Sequence, residues 1–308
     1  MIGENPAQSE ADIQHARKLL SSLDFLVVQD IVMTRTAELA DVVLPGTASW
    51  CETEGTVTNS ERRVQRVRKA LDPPGNARDD TWILSELAGR LGHDWGHPNA
   101  EQIWEELRSL SPMHRGMSYA RLEAAGGLQW PCLDERHPGS QFLHGRLWSV
   151  PREGPAAPFS AVEAVPPFEA LDAEYPIRLT TGRRLESYNT GVQSGLYRSP
   201  LHRGESIDLS PEDAERLLLD EGEVAKVSSR RGSVEAPVHI DPSLRPGLAF
   251  MTFHFPEQVD TNVLTIDATD PKSGTAEFKA AAIRVEKPRP AEVEELALDA
   301  EPAAVSGD

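Results

Sequence analysis

The stretch that most constrains this chain runs from Leu26 to Gln65, LVVQDIVMTRTAELADVVLPGTASWCETEGTVTNSERRVQ. An apolar run, Phe25 to Val28, ends on Gln29-Asp30. A helix-length segment follows, and the chain resumes as Asp41-Val42-Val43-Leu44-Pro45. Two short β-branched runs around such a segment predict a βαβ unit with buried parallel strands. Open α/β sheets bind ligands at the carboxyl ends of their strands, where an acidic residue accepts hydrogen bonds from ribose hydroxyls. Asp30 occupies that position, and the polar stretch Glu52 to Arg63 is predicted to fold over the same edge.

With 308 residues the chain has room for a substantial core and about two domains. No uninterrupted apolar segment approaches the length of a membrane span. The start, MIGENPAQSE, has neither the basic region nor the apolar core of a signal peptide, which predicts a cytoplasmic protein. A net charge of −18 excludes nucleic-acid or anionic-membrane binding through a general basic surface. The acid excess, with arginines outnumbering lysines, reads as a salt-rich cytoplasm or a GC-rich genome. The two cysteines, Cys51 and Cys132, are far apart and form no CxxC, which excludes a disulfide framework and a close-spaced metal site.

Met1 to Pro6, MIGENP, predicts a strand end turning into a loop, and by themselves Gly3, Asn5 and Pro6 are an ordinary turn. Ser9 to Leu23 predicts one helix with Ser9 as its N-cap. Thr34 and Thr36 open the next helix as caps, or as ligands at its N-terminus. Glu52 and Glu54 are solvated carboxylates rather than a catalytic pair. After Pro73-Pro74-Gly75, Asp79 and Asp80 cap a helix whose stripe of Trp82, Ile83, Leu84, Leu87 and Leu91 is predicted to pack inward. A second helix follows Pro98-Asn99. Prolines then dominate residues 133–172, a crossing segment in which Phe142 to Trp148 could add an edge strand. From Tyr175 the pattern is β, with runs at 177–181, 225–229, 233–240, 248–253 and 280–285 and one helix capped at Ser210-Pro211. Short strands with glycine turns predict a small closed barrel.

The strings VVQDIVMTRTAELADVVLP and ETEGTVTNSERRVQ resemble the large subunit of molybdenum or tungsten formate dehydrogenases, within the dimethyl sulfoxide reductase family. WILSELAGRLG and the segment ending Gly127 to Cys132 resemble the same family. LTTGRRLESYNTG, DLSPEDAERL, AKVSSRRGSV, GLAFMTFHFPE, TNVLT and DPKSGTAEFKAAAIRVE resemble its molydopterin-dinucleotide-binding domain. The resemblance implies an α/β partial Rossmann-like parallel sheet domain over 1–132 and a double-psi β-barrel over 173–287, on either side of the crossing segment 133–172, while the Pro, Ala and Glu content of residues 288–308 predicts a disordered acidic tail. It also implies a bis(molybdopterin guanine dinucleotide) cofactor with Mo or W.

Site residues follow from that resemblance. Gly3, Asn5 and Pro6 become the loop that approaches the dinucleotide phosphates, and Asp30 and Thr34 contact a guanosine end. Asn59 and Arg62 contact cofactor or a domain interface, or serve the loop structurally. Gly182 offers bare backbone and Arg183 a fork of donors toward the pterin. Tyr188, Asn189, Thr190 and Gly191 share the next loop, and Asn262 and Lys279 complete the set, Lys279 being equally readable as a solvated strand residue. The resembled enzymes also carry a four-cysteine run for an iron–sulfur cluster and a metal-binding selenocysteine or cysteine, neither of which occurs here. The resemblance therefore implies the C-terminal piece of an oxidoreductase subunit. Its partners would be the N-terminal remainder, electron-transfer subunits and formate, and it would be inactive alone. Two alternatives share these residues: an assimilatory nitrate reductase or other family oxidoreductase, and a non-catalytic subunit similar to the large iron–sulfur subunit of complex I.

Overall fold

The computed structural model describes residues 1–49, 51–147, 149–151, 153–185, 187, 189 and 204–288. In chain order the first elements are α1 (Pro6–Ser9), α2 (Ile13–Leu20), β1 (Val27–Asp30), α3 (Arg35–Glu38), β2 (Val42–Pro45), β3 (Gly55–Thr58) and β4 (Arg63–Val67). There follow α4 (Asp80–Arg90), α5 (Ala100–Leu110), α6 (Tyr119–Ala125), β5 (Leu128–Gln129), β6 (Ile177–Gly182), β7 (Ile207–Leu209) and α7 (Pro211–Leu217). The last are β8 (Val224–Ser228), β9 (Ser233–Ile240), β10 (Leu248–Thr252) and β11 (Ala281–Glu286). The chain divides into two compact units, one of residues 1–3, 27–33 and 41–163, the other of 4–26, 34–40 and 164–308.

In the first unit β1 and β2 pair in parallel from Val27↔Val42 to Asp30↔Pro45, and Ile2 bridges Gln29, also in parallel. The predicted parallel pairing is therefore present as a small sheet, but only β1 is buried at its centre, and β2 is half-buried to exposed rather than the buried strand expected. The polar stretch expected to cover its edge is an antiparallel hairpin of β3 and β4, widened by β5. Its core gathers Val64, Trp104, Met117, Tyr119, Leu122, Leu128 and Cys132, with the Trp104 indole N–H donating to the Met117 carbonyl at 2.6 Å. Helix α4 starts at Asp79 as expected, the carboxylate accepting from the Thr81 amide. Its inward face differs from the predicted stripe: it buries Ile83, Ser85 and Ala88 and leaves Trp82, Leu84, Leu87 and Leu91 exposed. Small residues permit the closer approach, so Ser85 and Ala88 face in. In the segment 142–147 the described residues form a single 3₁₀ turn, Gly145–Leu147, in place of the edge strand.

In the second unit the helix expected from Ser9 to Leu23 is two helices. Pro6, suited to a first helical position, starts α1 early, and Asp12 adopts a left-handed φ of 44° and caps α2 through the His15 amide. Six strands close a barrel in the order β10-β6-β11-β8-β9-β7. The β10·β6 and β7·β9 pairs are parallel and the others antiparallel. Alternate residues point inward, and Ile177, Leu179, Ile207, Leu209, Met251 and Ile283 have no exposed surface. Strand β7, which the sequence reading did not predict, is needed to close the ring. Ser210 caps α7 through the Asp213 amide at 3.1 Å.

The end of the proline-rich segment is stapled to the barrel by Glu169. Its carboxylate accepts from Arg230 at 2.8 Å, from both terminal nitrogens of Arg231 at 2.9 Å, and from the Ala282 amide at 2.7 Å. Arg178 donates to its carbonyl at 2.8 Å. Burial pushes the carboxyl up, but the Arg231, Ala282 and Arg230 hydrogen bonds outweigh it and hold the pKa down at about 2.

Candidate cofactor site

Strand β6 ends on Gly182 and delivers two consecutive arginines, whose environments are opposite. Arg184 is anchored: its guanidinium donates to both oxygens of Asp208 at 3.0 and 2.8 Å, to Ser206 at 3.1 Å and to the Gly204 carbonyl at 3.3 Å. The pair is buried, the side chains 14% and 7% exposed. Arg183 is exposed and, among the described residues, has no hydrogen-bond or ion-pair partner. One arginine is thus held in place, while the other has, among the described residues, an unengaged fork of donors, the geometry that binds phosphate or a polar ring. A Cβ at Gly182 would stand 2.8 Å from the Phe250 ring, so the residue is small because an aromatic side chain lies against it.

Asn189 has φ 45°, and its buried side-chain oxygen has no hydrogen-bond partner among the described residues. Thr261, one position before the predicted Asn262, also has a buried unpartnered oxygen. Leaving such an atom unpaired costs about 1–3 kcal/mol, a cost that a donor on a ligand would remove. Tyr188, Thr190 and Gly191, predicted on this loop, lie outside the described residues.

The other predicted residues are engaged within the chain. Asn5 accepts from the Thr36 amide at 3.1 Å and hydroxyl at 2.7 Å and donates to Gln8 at 2.8 Å, and Pro6 is the first residue of α1. Thr34 caps α3 through the Ala37 amide at 3.1 Å. Gly3 has φ 61°, donates to the Gln29 carbonyl at 2.9 Å and has open space where a Cβ would be. Asp30, half-buried at the end of β1, accepts from the Ile31 amide at 2.7 Å. Asn59 closes the β3–β4 turn by accepting from the amides of Glu61 and Arg63, both at 3.0 Å. Arg62, at φ 64°, donates to the carbonyls of Trp130, Ser140 and Gln141 and lies over the Trp130 ring. Asn262 is buried and donates to the Gln8 carbonyl at 3.2 Å, and Lys279 donates to the Thr181 carbonyl. The residues the sequence reading missed, Arg184 and Asp208, carried one available signal: a second arginine directly after the first.

Comparison with known proteins agrees with this layout. The family described as Molybdopterin oxidoreductase matches residues 1–90, and the Molydopterin dinucleotide binding domain matches 177–282. The α subunit of F420-dependent formate dehydrogenase 2 from Methanococcus maripaludis is 44% identical over 93% of this chain and 42% of its own length. A nitrate reductase from Symbiobacterium thermophilum is 39% identical over 92% of this chain and 40% of its own length. Acetylene hydratase from Pelobacter acetylenicus shares the fold, with a TM-score of 0.65 at 21% identity over 92% of this chain and 43% of that one. The chain belongs to the molybdopterin oxidoreductase family. It spans about two fifths of the length of these relatives.

A pterin dinucleotide offers phosphates, ribose hydroxyls and rings with donors and acceptors. The free guanidinium of Arg183 matches the anionic or acceptor groups, and the orphaned oxygen of Asn189 matches a ring donor, so the β6 loop fits the group. No helix among the described residues is long and apolar enough to cross a membrane.

Proposed function

We propose that this chain binds one end of a bis(molybdopterin guanine dinucleotide) cofactor, with Mo or W, as part of a formate dehydrogenase. The observations that carry the reading are the contrast between a locked Arg184 and an Arg183 that has no partner among the described residues, and the unpartnered Asn189 oxygen. The parallel sheet of β1 and β2 supports a partial Rossmann-like domain over 1–132, and the crossed strand order with parallel pairs supports a double-psi barrel over 173–287. Formate becomes carbon dioxide and a proton with loss of two electrons, and the chemistry the bound group supplies is acceptance of those electrons. This chain's residues bind and orient: Arg183 neutralises and aligns an anionic or carbonyl group, and Asn189 accepts from a ring N–H. The remainder of the subunit would carry the cluster and metal ligands, other subunits would accept the electrons, and the location would be cytoplasmic.

Formate is favoured over nitrate by the 44% identity to a formate dehydrogenase α subunit, although a nitrate reductase follows at 39%. The test is acid release of guanine nucleotide with elemental analysis for Mo and W. The protein is purified with its native partners and then assayed for formate-dependent dye reduction and nitrate-dependent dye oxidation. Nucleotide, metal and formate activity together are the expected result. Nitrate activity alone moves the substrate assignment, and protein free of nucleotide and metal favours the non-catalytic subunit.

A further inference from the structure

The loop that carries Arg183 is fastened at a second point, by a side chain that neither the motifs nor the family match assigns. His254 lies just beyond β10 and is 2% exposed. Its Nε2 lies 2.9 Å from the backbone amide of Arg184, and its Nδ1 is hydrogen-bonded to the backbone carbonyl of Asn189. An amide can only donate and a carbonyl can only accept. The ring must therefore accept at Nε2 and donate at Nδ1, which only the neutral tautomer with its proton on Nδ1 can do.

His254 is itself held. The carboxylate of Glu205, 4% exposed, accepts from the amides of His254 at 3.1 Å and Phe255 at 2.9 Å through one oxygen and from the Thr252 hydroxyl through the other. The Glu205 amide in turn donates to the Gln258 side chain at 3.2 Å. This buried carboxylate fixes the turn after β10, and the turn fixes the imidazole.

We infer that His254 is a positioning residue: a neutral imidazole, oriented by Glu205, that bridges Arg184 to Asn189 and so sets the span of loop from which Arg183 and Asn189 meet the ligand. The Asp208 pair anchors the side chain of Arg184, and His254 anchors its backbone. Arg184 and Asn189 are therefore both tied to the barrel. Neither tie uses Arg183 or the Asn189 side-chain oxygen, which have no partner among the described residues. The consequence for ligand binding rests on the cofactor reading above, whereas the bridge does not.

The full chain, ¹⁵N-labelled and with His254→Gln to identify the signal, reports which ring nitrogen carries the proton. The expected result is Nδ1–H at neutral pH, and this needs no alanine variant to fold. Amide hydrogen exchange is the second readout. Arg184 is protected in the parent and exchanges at least about tenfold faster in His254→Ala, with Leu179 in β6 unchanged. His254→Gln, which keeps an acceptor near the Nε2 place, restores Arg184 protection, and His254→Asn does not, an asymmetry that space-filling alone would not produce. Guanine nucleotide released by acid falls in His254→Ala as it does in Arg183→Ala. A proton on Nε2 or on both nitrogens, or Arg184 exchange indifferent to His254→Ala, overturns the inference. If the parent carries no guanine nucleotide, the cofactor reading fails, and the tautomer and exchange measurements still decide the bridge.

Discussion

Arg183 and Arg184 are chemically identical neighbours, and the structure gives them opposite work. Replacing Arg183 by Ala removes an exposed side chain with no partner among the described residues, so stability should stay within about 0.5 kcal/mol while bound guanine nucleotide is lost. Replacing Arg184 by Ala leaves the Asp208 carboxylate buried without a counter-charge, held among the described residues only by the Ser206 hydroxyl, which should cost about 3–5 kcal/mol. Urea unfolding of the two variants, with nucleotide content measured on the same samples, checks the contrast, and equal losses of stability would refute the division of labour. The Gly182-Arg183 motif points to Arg183, but nothing local in it distinguishes the unengaged arginine from the anchored one. The partner that decides, Asp208, is on β7, a strand of three residues too short to show a period of two. The same limit applies to Asn5, Asn59 and Arg62. Their residue types suit ligand contact, and only coordinates reveal that their polar atoms are engaged with the chain's own backbone and side chains.

Among elements, those with strong local signals were legible. The capped helices α4, α5 and α7 begin where Asp79, Asn99 and Ser210 said they would, and five of the six barrel strands fall on the predicted β runs. The strap at Glu169 was not, because a lone glutamate among prolines resembles any solvated carboxylate until Arg230, Arg231 and the Ala282 amide converge on it. Its folded pKa of about 2 lies below the ordinary value of 4.5, so the carboxylate's contribution is full above pH 4.5 and is lost as pH falls toward 2. The shift corresponds to about 3 kcal/mol. Glu169→Gln should therefore destabilise the second unit at pH 7, leaving Arg231 without its counter-charge, and the two proteins should converge in stability as pH is lowered from 4.5 to 2. Urea midpoints at pH 7, 4 and 3 measure this. A constant gap across that range would mean that Glu169 acts through packing rather than charge.

At the scale of the whole chain, the two family segments were legible from long ordered strings, but the division into units was not. Residues 4–26 and 34–40 group with the barrel residues through bonds spanning most of the sequence, such as Arg17 to Asp260 at 2.7 Å and Asn262 to the Gln8 carbonyl at 3.2 Å. No local pattern encodes a pair more than 240 positions apart. Charge, by contrast, is a property the sequence states outright, and it predicts how the molecule responds to salt. The chain carries 49 acidic and 31 basic residues, a net −18. Salt weakens two opposing terms: the weak attraction within exposed pairs such as Lys69–Asp72, and the long-range repulsion among the excess carboxylates. The buried pairs at Asp208 and Glu169 are screened far less. With so large an acid excess, repulsion is the larger of the two terms. Raising sodium chloride from about 0.01 M to about 1 M shortens the Debye length from about 30 Å to about 3 Å and should raise the melting temperature by a few degrees. Circular-dichroism melts at the two concentrations give the sign directly. A melting temperature that falls with salt would mean that the exposed ion pairs outweigh the repulsion and that the arginine-rich surface stabilises the fold.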